Sequence, residues 1–318
     1  MNIDKMLLAN LFIALKTKPL AILAGPEESG KEVLVEKLAK TLSGRGKKKL
    51  QLKMLTGHPW WAKGDNLSGL IEIQTRLTSE MVMRIFEEVQ QPQNSDKAFL
   101  VCFARISPAE LQNFFADLAF QIQNNRIMRL GDIHLDEPVP FPNNLFIIGT
   151  MDTDEYRWWD VDLLSKASVI QTGKYYNLPQ SITPSKAASN NVRELMSPIR
   201  DPNTAYKRLK LLLAGEKQPF GHFLQVQEIM HNYDVPTPSK LMDNAVIYLA
   251  NAWSSSGEGF FDANLRANFE IATDVLIAQL LLPCIQNALQ NSSGFRQALA
   301  NVLHLYYPCS YEYLSQPL

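Results

Sequence analysis

The stretch LAILAGPEESGKEVLVEKLAKTL, residues 20–42, decides the fold. Its first six residues are an apolar run without charge, short enough to be a strand buried on both faces. Lys18-Pro19 precedes it and marks a turn. Its last ten residues, from Val33, repeat apolar positions at helical spacing until the polar SGRGKKK segment ends the pattern. Between them, Gly25 to Lys31 fits GxxxxGK. Strand, glycine-rich loop, helix is the order a phosphate-binding loop needs. The glycines let backbone amides wrap an anion at a helix N-terminus, and Lys31 can reach the β and γ phosphates. The loop residues Gly25, Pro26, Glu27, Glu28, Ser29, Gly30, Lys31 and Glu32 are the candidate nucleotide-binding set.

Three features of this loop oppose the chemistry its shape invites. A Ser or Thr should follow the lysine, because a neutral hydroxyl there ligates Mg²⁺; the residue is Glu32. Glu27, Glu28, Lys31 and Glu32 leave a net −2 around a site for a polyanion, and each close like-charge pair costs about 1 to 4 kcal/mol. Hydrolysis also needs an acidic group at the end of a neighbouring strand. That strand reads AFLVCFA, 98–104, and is followed by Arg105, Ile106 and Ser107; no carboxylate occurs between Lys97 and Ala109, and Glu110 falls in the next helix. Two readings of the loop stand: retained nucleotide binding, or a relic whose glycines serve only the turn.

Outward from this segment, residues 4–16 carry helical spacing, β-like runs recur at LQLKML near 50, AFLVCFA at 98–104 and NLFIIGTM at 144–151, and helical stretches fall around 79–90 and 108–123. Alternating strands and helices predict an α/β layer with a mostly parallel sheet. From about 173 the texture becomes rich in Pro, Ser and Asn, then helical, including Ala267 to Leu282 and Phe295 to Tyr306. The expected organisation is an α/β nucleotide-binding-type domain at 1–172, a linker at 173–200 and an all-helical lid at 201–318.

With 318 residues, 46% of them apolar, the chain can bury a substantial core. A formal charge of −1 from 31 basic and 32 acidic side chains gives no global field toward nucleic acid or an anionic membrane. Cys102, Cys284 and Cys309 form no metal-ligand spacing, and the five histidines show none either, so no metal site is expected. The dispersed cysteines, two of them in apolar runs, lead to the expectation of a reducing, cytoplasmic compartment, and the apolar N-terminus is interrupted by Asp4, Lys5, Lys16 and Lys18, so neither a signal peptide nor a membrane anchor is expected. The RGKKK cluster at 45–49 reads as a solvated loop, and Trp60-Trp61 and Trp158-Trp159 as packing beside the sheet; contact with phosphate backbones, bases or subunits is the alternative.

The chain resembles the McrB-like branch of AAA+ proteins, GTP-dependent motor subunits of modification-dependent restriction systems. The resemblance is carried by residues 10–31, Trp60-Trp61 with DNLSGL at 65–70, FFADL at 114–118, NNLFIIGTMDTDE at 143–155, DVDLLSKASVIQ at 160–171, FGH at 220–222 and TDVLIAQLLLPCI at 273–285. It implies an AAA+ P-loop fold with a helical lid. It also implies that Ala104 and Arg105 stand where an Asp-Glu pair belongs, Asp152 where an Asn does, Ser165 and Lys166 where an Asp-Arg pair does, and Phe223 at a lid arginine. The framework matches while the catalytic positions depart together, so a degenerate member is expected, with ATP or GTP and Mg²⁺ bound weakly or not at all and no catalytic residue of its own. Asp152 could partly replace the missing metal ligand. Such a subunit would work in a homo- or hetero-oligomer with AAA+ relatives or an effector protein, meeting nucleic acid through those partners. The competing hypothesis is a slow NTPase in which Glu32 and Asp152 hold Mg²⁺ and a neighbouring chain supplies the base. A plain nucleic-acid-binding module ranks last.

Overall fold

The computed structural model describes residues 3–43, 49–56, 80, 82–130, 133–152, 161–172, 192–215, 220–236 and 239–315. Trp60-Trp61, DNLSGL at 65–70, Trp158-Trp159, residues 45–48 of the basic cluster and most of the expected linker lie outside these.

Five strands form one parallel sheet: β1 (Leu20–Gly25), β2 (Leu50–Thr56), β3 (Ala98–Ala104), β6 (Leu145–Asp152) and β7 (Ser168–Gln171), in the order β2-β3-β6-β1-β7. Every residue of β1 and β3 is buried, as continuous apolar runs in a doubly covered sheet require. Because side chains alternate across a strand, Ala21, Leu23, Leu100, Cys102, Phe146 and Ile148 enter one core, while Leu20, Ile22, Ala24, Phe99, Val101, Phe103 and Ile147 enter the other. The first core also takes the helix Ile3–Thr17, the helix after the loop (Lys31–Ser43) and residues of the C-terminal helices, among them Trp253, Phe269 and Phe295. The second is covered by helices at 82–90 and 108–123.

Local sequence explains the main helices. Ile3–Thr17 is buried almost all round, which suits a helix enclosed between sheet and C-terminal helices. The 108–123 helix starts at a capping box: Ser107 Oγ accepts from Glu110 N (3.2 Å) and Ser107 N donates to Glu110 Oε2 (2.7 Å), with Pro108 in the first turn. A π turn at Leu111–Phe115 interrupts it. The 265–284 helix opens on Asn264, whose side chain accepts from Ala267 N (3.0 Å). Among the described residues it alone is long and apolar enough to cross a membrane, and 78% of its most apolar window is buried inside the protein, as in a core helix.

Periodicity yielded four strands, and the structure adds β7 and an antiparallel hairpin, β4 (Ile127–Leu130) with β5 (Ile133–Val139), outside the main sheet. Residues 192–196 at the end of the expected linker form a helix, with Val192 and Leu195 in the first core. Further helices at Pro202–Leu212, Gly221–Asn232, Ser239–Asn251, Ser293–Tyr306 and Pro308–Ser315 complete the C-terminal region. Parallel sheet, loop position and helical C-terminal region together give an α/β fold with a mostly parallel sheet and a C-terminal helical region. β1 lies between β6 and β7, so the crevice beyond its carboxyl end is where such sheets bind ligands.

Candidate functional site

Register fixes the walls of the crevice. Gly25, the last residue of β1, pairs with Asp152, the last of β6, and Ala24 pairs with Gln171 at the end of β7. Thr172 then folds over Gly25, its amide donating to Ala24 O (2.6 Å), so a Cβ at position 25 would lie 2.2 Å from Thr172 Oγ1. Only glycine fits there. Glu27–Ser29 makes a tight turn closed by Ser29 N donating to Pro26 O (3.0 Å), and Ser29 Oγ shares a hydrogen bond with Thr172 Oγ1 (2.8 Å). Gly30 has φ 73°, a left-handed conformation that disfavours side chains, and an added Cβ would meet nothing within 4 Å. The loop backbone thus has the shape of a phosphate cradle, with open space at Gly30.

Lys31 does not face that space freely. Its side chain is 1% exposed, and Nζ donates to Pro26 O (2.7 Å), Asp152 Oδ1 (2.8 Å) and Gly25 O (2.9 Å), with Ser29 Oγ farther at 3.4 Å. An ammonium has three hydrogens, and three good acceptors take them. The carboxylate at the end of β6 is therefore a partner of the loop lysine.

Glu32 and Glu27 also have partners within the site. Glu32 Oε1 accepts from the buried Thr150 Oγ1 (2.6 Å), and that oxygen in turn accepts from Arg105 N (2.9 Å). Arg105 turns the chain out of β3 with φ 57° and sends its guanidinium to Glu27, 3.4 Å away across the mouth of the loop; both side chains are well exposed. Such an exposed pair is worth little by itself, and its cation stands where the resemblance expects an acidic residue. Glu110, the first carboxylate after β3, is taken up by the capping box at Ser107. Ala104 is buried at the end of β3.

The residues present do not fit a complete Mg²⁺–nucleotide site. The backbone keeps a cradle, but no hydroxyl follows Lys31, Glu32 is engaged by Thr150, and Asp152 is engaged by Lys31.

Of the sequence candidates, the structure brings Gly25 to Glu32, Ala104, Arg105 and Asp152 to one end of the sheet. Ser165 and Lys166 lie on the helix Val161–Lys166 before β7: Ser165 O accepts from Asn244 of the helical region (2.8 Å), and Lys166 Nζ stands 5.1 Å above the Phe120 ring. Phe223 is buried within Gly221–Asn232 as part of the core, and a helical stack pairs its neighbour His222 with Tyr306. Thr150 and Thr172, which hold the loop and Glu32, were not singled out from sequence; their only signal is a hydroxyl at the carboxyl end of an apolar strand.

No protein-family model matches the chain, and no curated protein matches it. Among solved structures it is similar to that of PCH-2 from C. elegans, with 13% identity and a TM-score of 0.31, over 77% of this chain and 67% of that one. The fold rests on the parallel sheet and the loop after β1 rather than on this likeness.

Proposed function

We propose that the chain is a non-hydrolysing AAA+ subunit of the McrB-like type, acting by binding and assembly in a bacterial defence or other nucleic-acid-processing complex of the cytoplasm. The observation that carries this is Arg105 at the end of β3, paired with Glu27 over the loop. A water that attacks a γ-phosphate needs an acceptor at that point, and a guanidinium cannot accept a proton. The carboxylates that flank it are engaged elsewhere: Glu32 with Thr150, Asp152 with Lys31, Glu110 with Ser107. AAA+ relatives build their sites between neighbours, so such a subunit still shapes an adjacent site or holds an effector.

Phosphate release from ATP or GTP with Mg²⁺, compared between the purified chain and Lys31→Ala, tests the chemical half. Equal, background release is expected; turnover lost in Lys31→Ala would establish the slow NTPase instead. Mass photometry of the chain alone and mixed with an active AAA+ relative tests the assembly half, and a monomer under all conditions would refute it.

A further inference from the structure

We propose that Asp152 is the phosphate loop's internal ligand, an autoinhibitory carboxylate that occupies Lys31 and holds the loop closed to phosphoryl anions. The inference rests on the non-hydrolysing reading above and names how the same site is kept shut. Asp152 is not a side chain that happens to swing near. It is the last residue of β6, hydrogen-bonded in register beside Gly25, the first residue of the loop, so the sheet itself delivers it to the lysine. There it is one of three close acceptors, the other two being the loop's own carbonyls. Of the three, only Asp152 carries charge, and only Asp152 can be changed without touching the backbone.

The lock is electrostatic rather than steric. An added Cβ at Gly30 would meet nothing within 4 Å, so that side of the loop is open. What an incoming phosphoryl group meets is a lysine already neutralised and a carboxylate that repels it. The site's second cation is within reach: Arg105 is exposed and, among the described residues, is paired with Glu27 at 3.4 Å, a pair an anion of higher charge can displace. Since Glu32 is turned to Thr150, the ligand class that fits the released site is a metal-free polyphosphate group, inorganic pyrophosphate being its simplest form.

Titration calorimetry with pyrophosphate, without Mg²⁺, decides it on four proteins: wild type, Lys31→Ala, Asp152→Asn and the double variant. Removing one negative charge about 5 Å from the ligand should tighten binding about ten-fold or more in Asp152→Asn. The gain should vanish in the double variant, while wild type and Lys31→Ala bind equally weakly. Asp152→Ser serves as a second lock-free variant, with thermal melting to show that each is folded. Unchanged affinity in both Asp152 variants, or a gain that survives loss of Lys31, overturns the proposal. Phosphate release from Mg²⁺–ATP by Asp152→Asn is read separately. Turnover there would overturn the argument that the site lacks a base while leaving the lock in place, and tighter binding without turnover supports both.

Discussion

Lys16→Met should destabilise the protein by about 3 kcal/mol. Lys16, on the first helix, is 3% exposed and donates to Glu194 Oε2 at 3.1 Å; Glu194, on the helix Val192–Met196, is 7% exposed and also accepts from the amide (2.8 Å) and hydroxyl of Ser255. The ammonium sits 4.9 Å from the centre of the Phe260 ring. Breaking a buried pair from one side costs about 3–5 kcal/mol because the other charge is left unmatched. The lower end applies here, since Ser255 still serves the carboxylate and methionine still fills the stem's space. With an unfolding entropy of about 2.1 cal/mol/K per residue over 318 residues, this is a fall of about 4–5 °C in melting temperature. Removing both charges, as in Lys16→Met with Glu194→Leu, should recover much of the loss. The pair also has an acid signature. Burial pulls Lys16 down although Glu194 pushes it back up. Burial alone would push Glu194 up, but the two Ser255 donors and Lys16 hold it below the usual carboxylate value. Glu194 governs the acid side because it has three donors. Its depressed folded value means that the pair's contribution is present above the unfolded carboxylate range and is lost as pH falls through the folded value. Urea unfolding of the three proteins across pH 3 to 7 should therefore show the gap between wild type and Lys16→Met closing toward low pH. A single variant within 0.5 kcal/mol of wild type at pH 7, or a gap that does not close, refutes the reasoning.

Two further outcomes follow from buried charges. Burial pulls Lys18 down to about 7, with Cys284 opposing; the unfolded chain then binds the extra proton between about pH 7 and 10, so this lysine's contribution to stability rises with pH by up to about 1.4 kcal/mol per unit. Wild type should gain on Lys18→Met between pH 7 and 9 in urea unfolding, and parallel profiles would count against it. Asp274, 2% exposed, accepts from the amides of Cys309 and Ser310 (2.8 Å each) at the start of Pro308–Ser315. Asp274→Ala orphans both donors and should cost about 3 kcal/mol in urea unfolding, with Asp274→Asn milder; equal stabilities would show that the donors find other partners.

How much of this was legible in the sequence depends on the range of the interaction. LAILAG, AFLVCFA and the helix after the loop are local apolar patterns, and all three elements formed where the pattern put them. The hairpin escaped because IMRL and IHLDEPV mix charge, Pro138 and exposed positions, and its strands pair outside the main sheet. β7 is only four residues long. Lys16 and Lys18 read as interruptions in an apolar segment; in space one is matched by Glu194, and the other donates to Leu164 O (3.0 Å) and Ala167 O (3.2 Å). Asp152 and Arg105 stood out as departures from a family pattern, but their partners did not. Asp152 meets Lys31 across 121 residues through the β1–β6 register, and no local pattern encodes that register.

The departures at the loop have a common form that bears on why the fold persists. Each changed side chain has an internal partner: Asp152 and Arg105 pair with the opposite charges of Lys31 and Glu27, and Glu32 accepts a hydrogen bond from Thr150. Meanwhile the helix Val161–Lys166 is anchored by donors from two directions. Lys18 reaches Leu164 O and Ala167 O from the start of the sheet, and Asn244 reaches Ser165 O from the helical region. Three hydrogen bonds from these two side chains, to the last turn of a six-residue helix and the residue after it, fix its end firmly, since carbonyls there have no partner within the helix. Random decay of a motor would leave orphaned charges at the loop and a loosened helix alike. A loop whose changed side chains find partners within the site and a helix held firmly at its end are instead what the proposed role in an assembly requires.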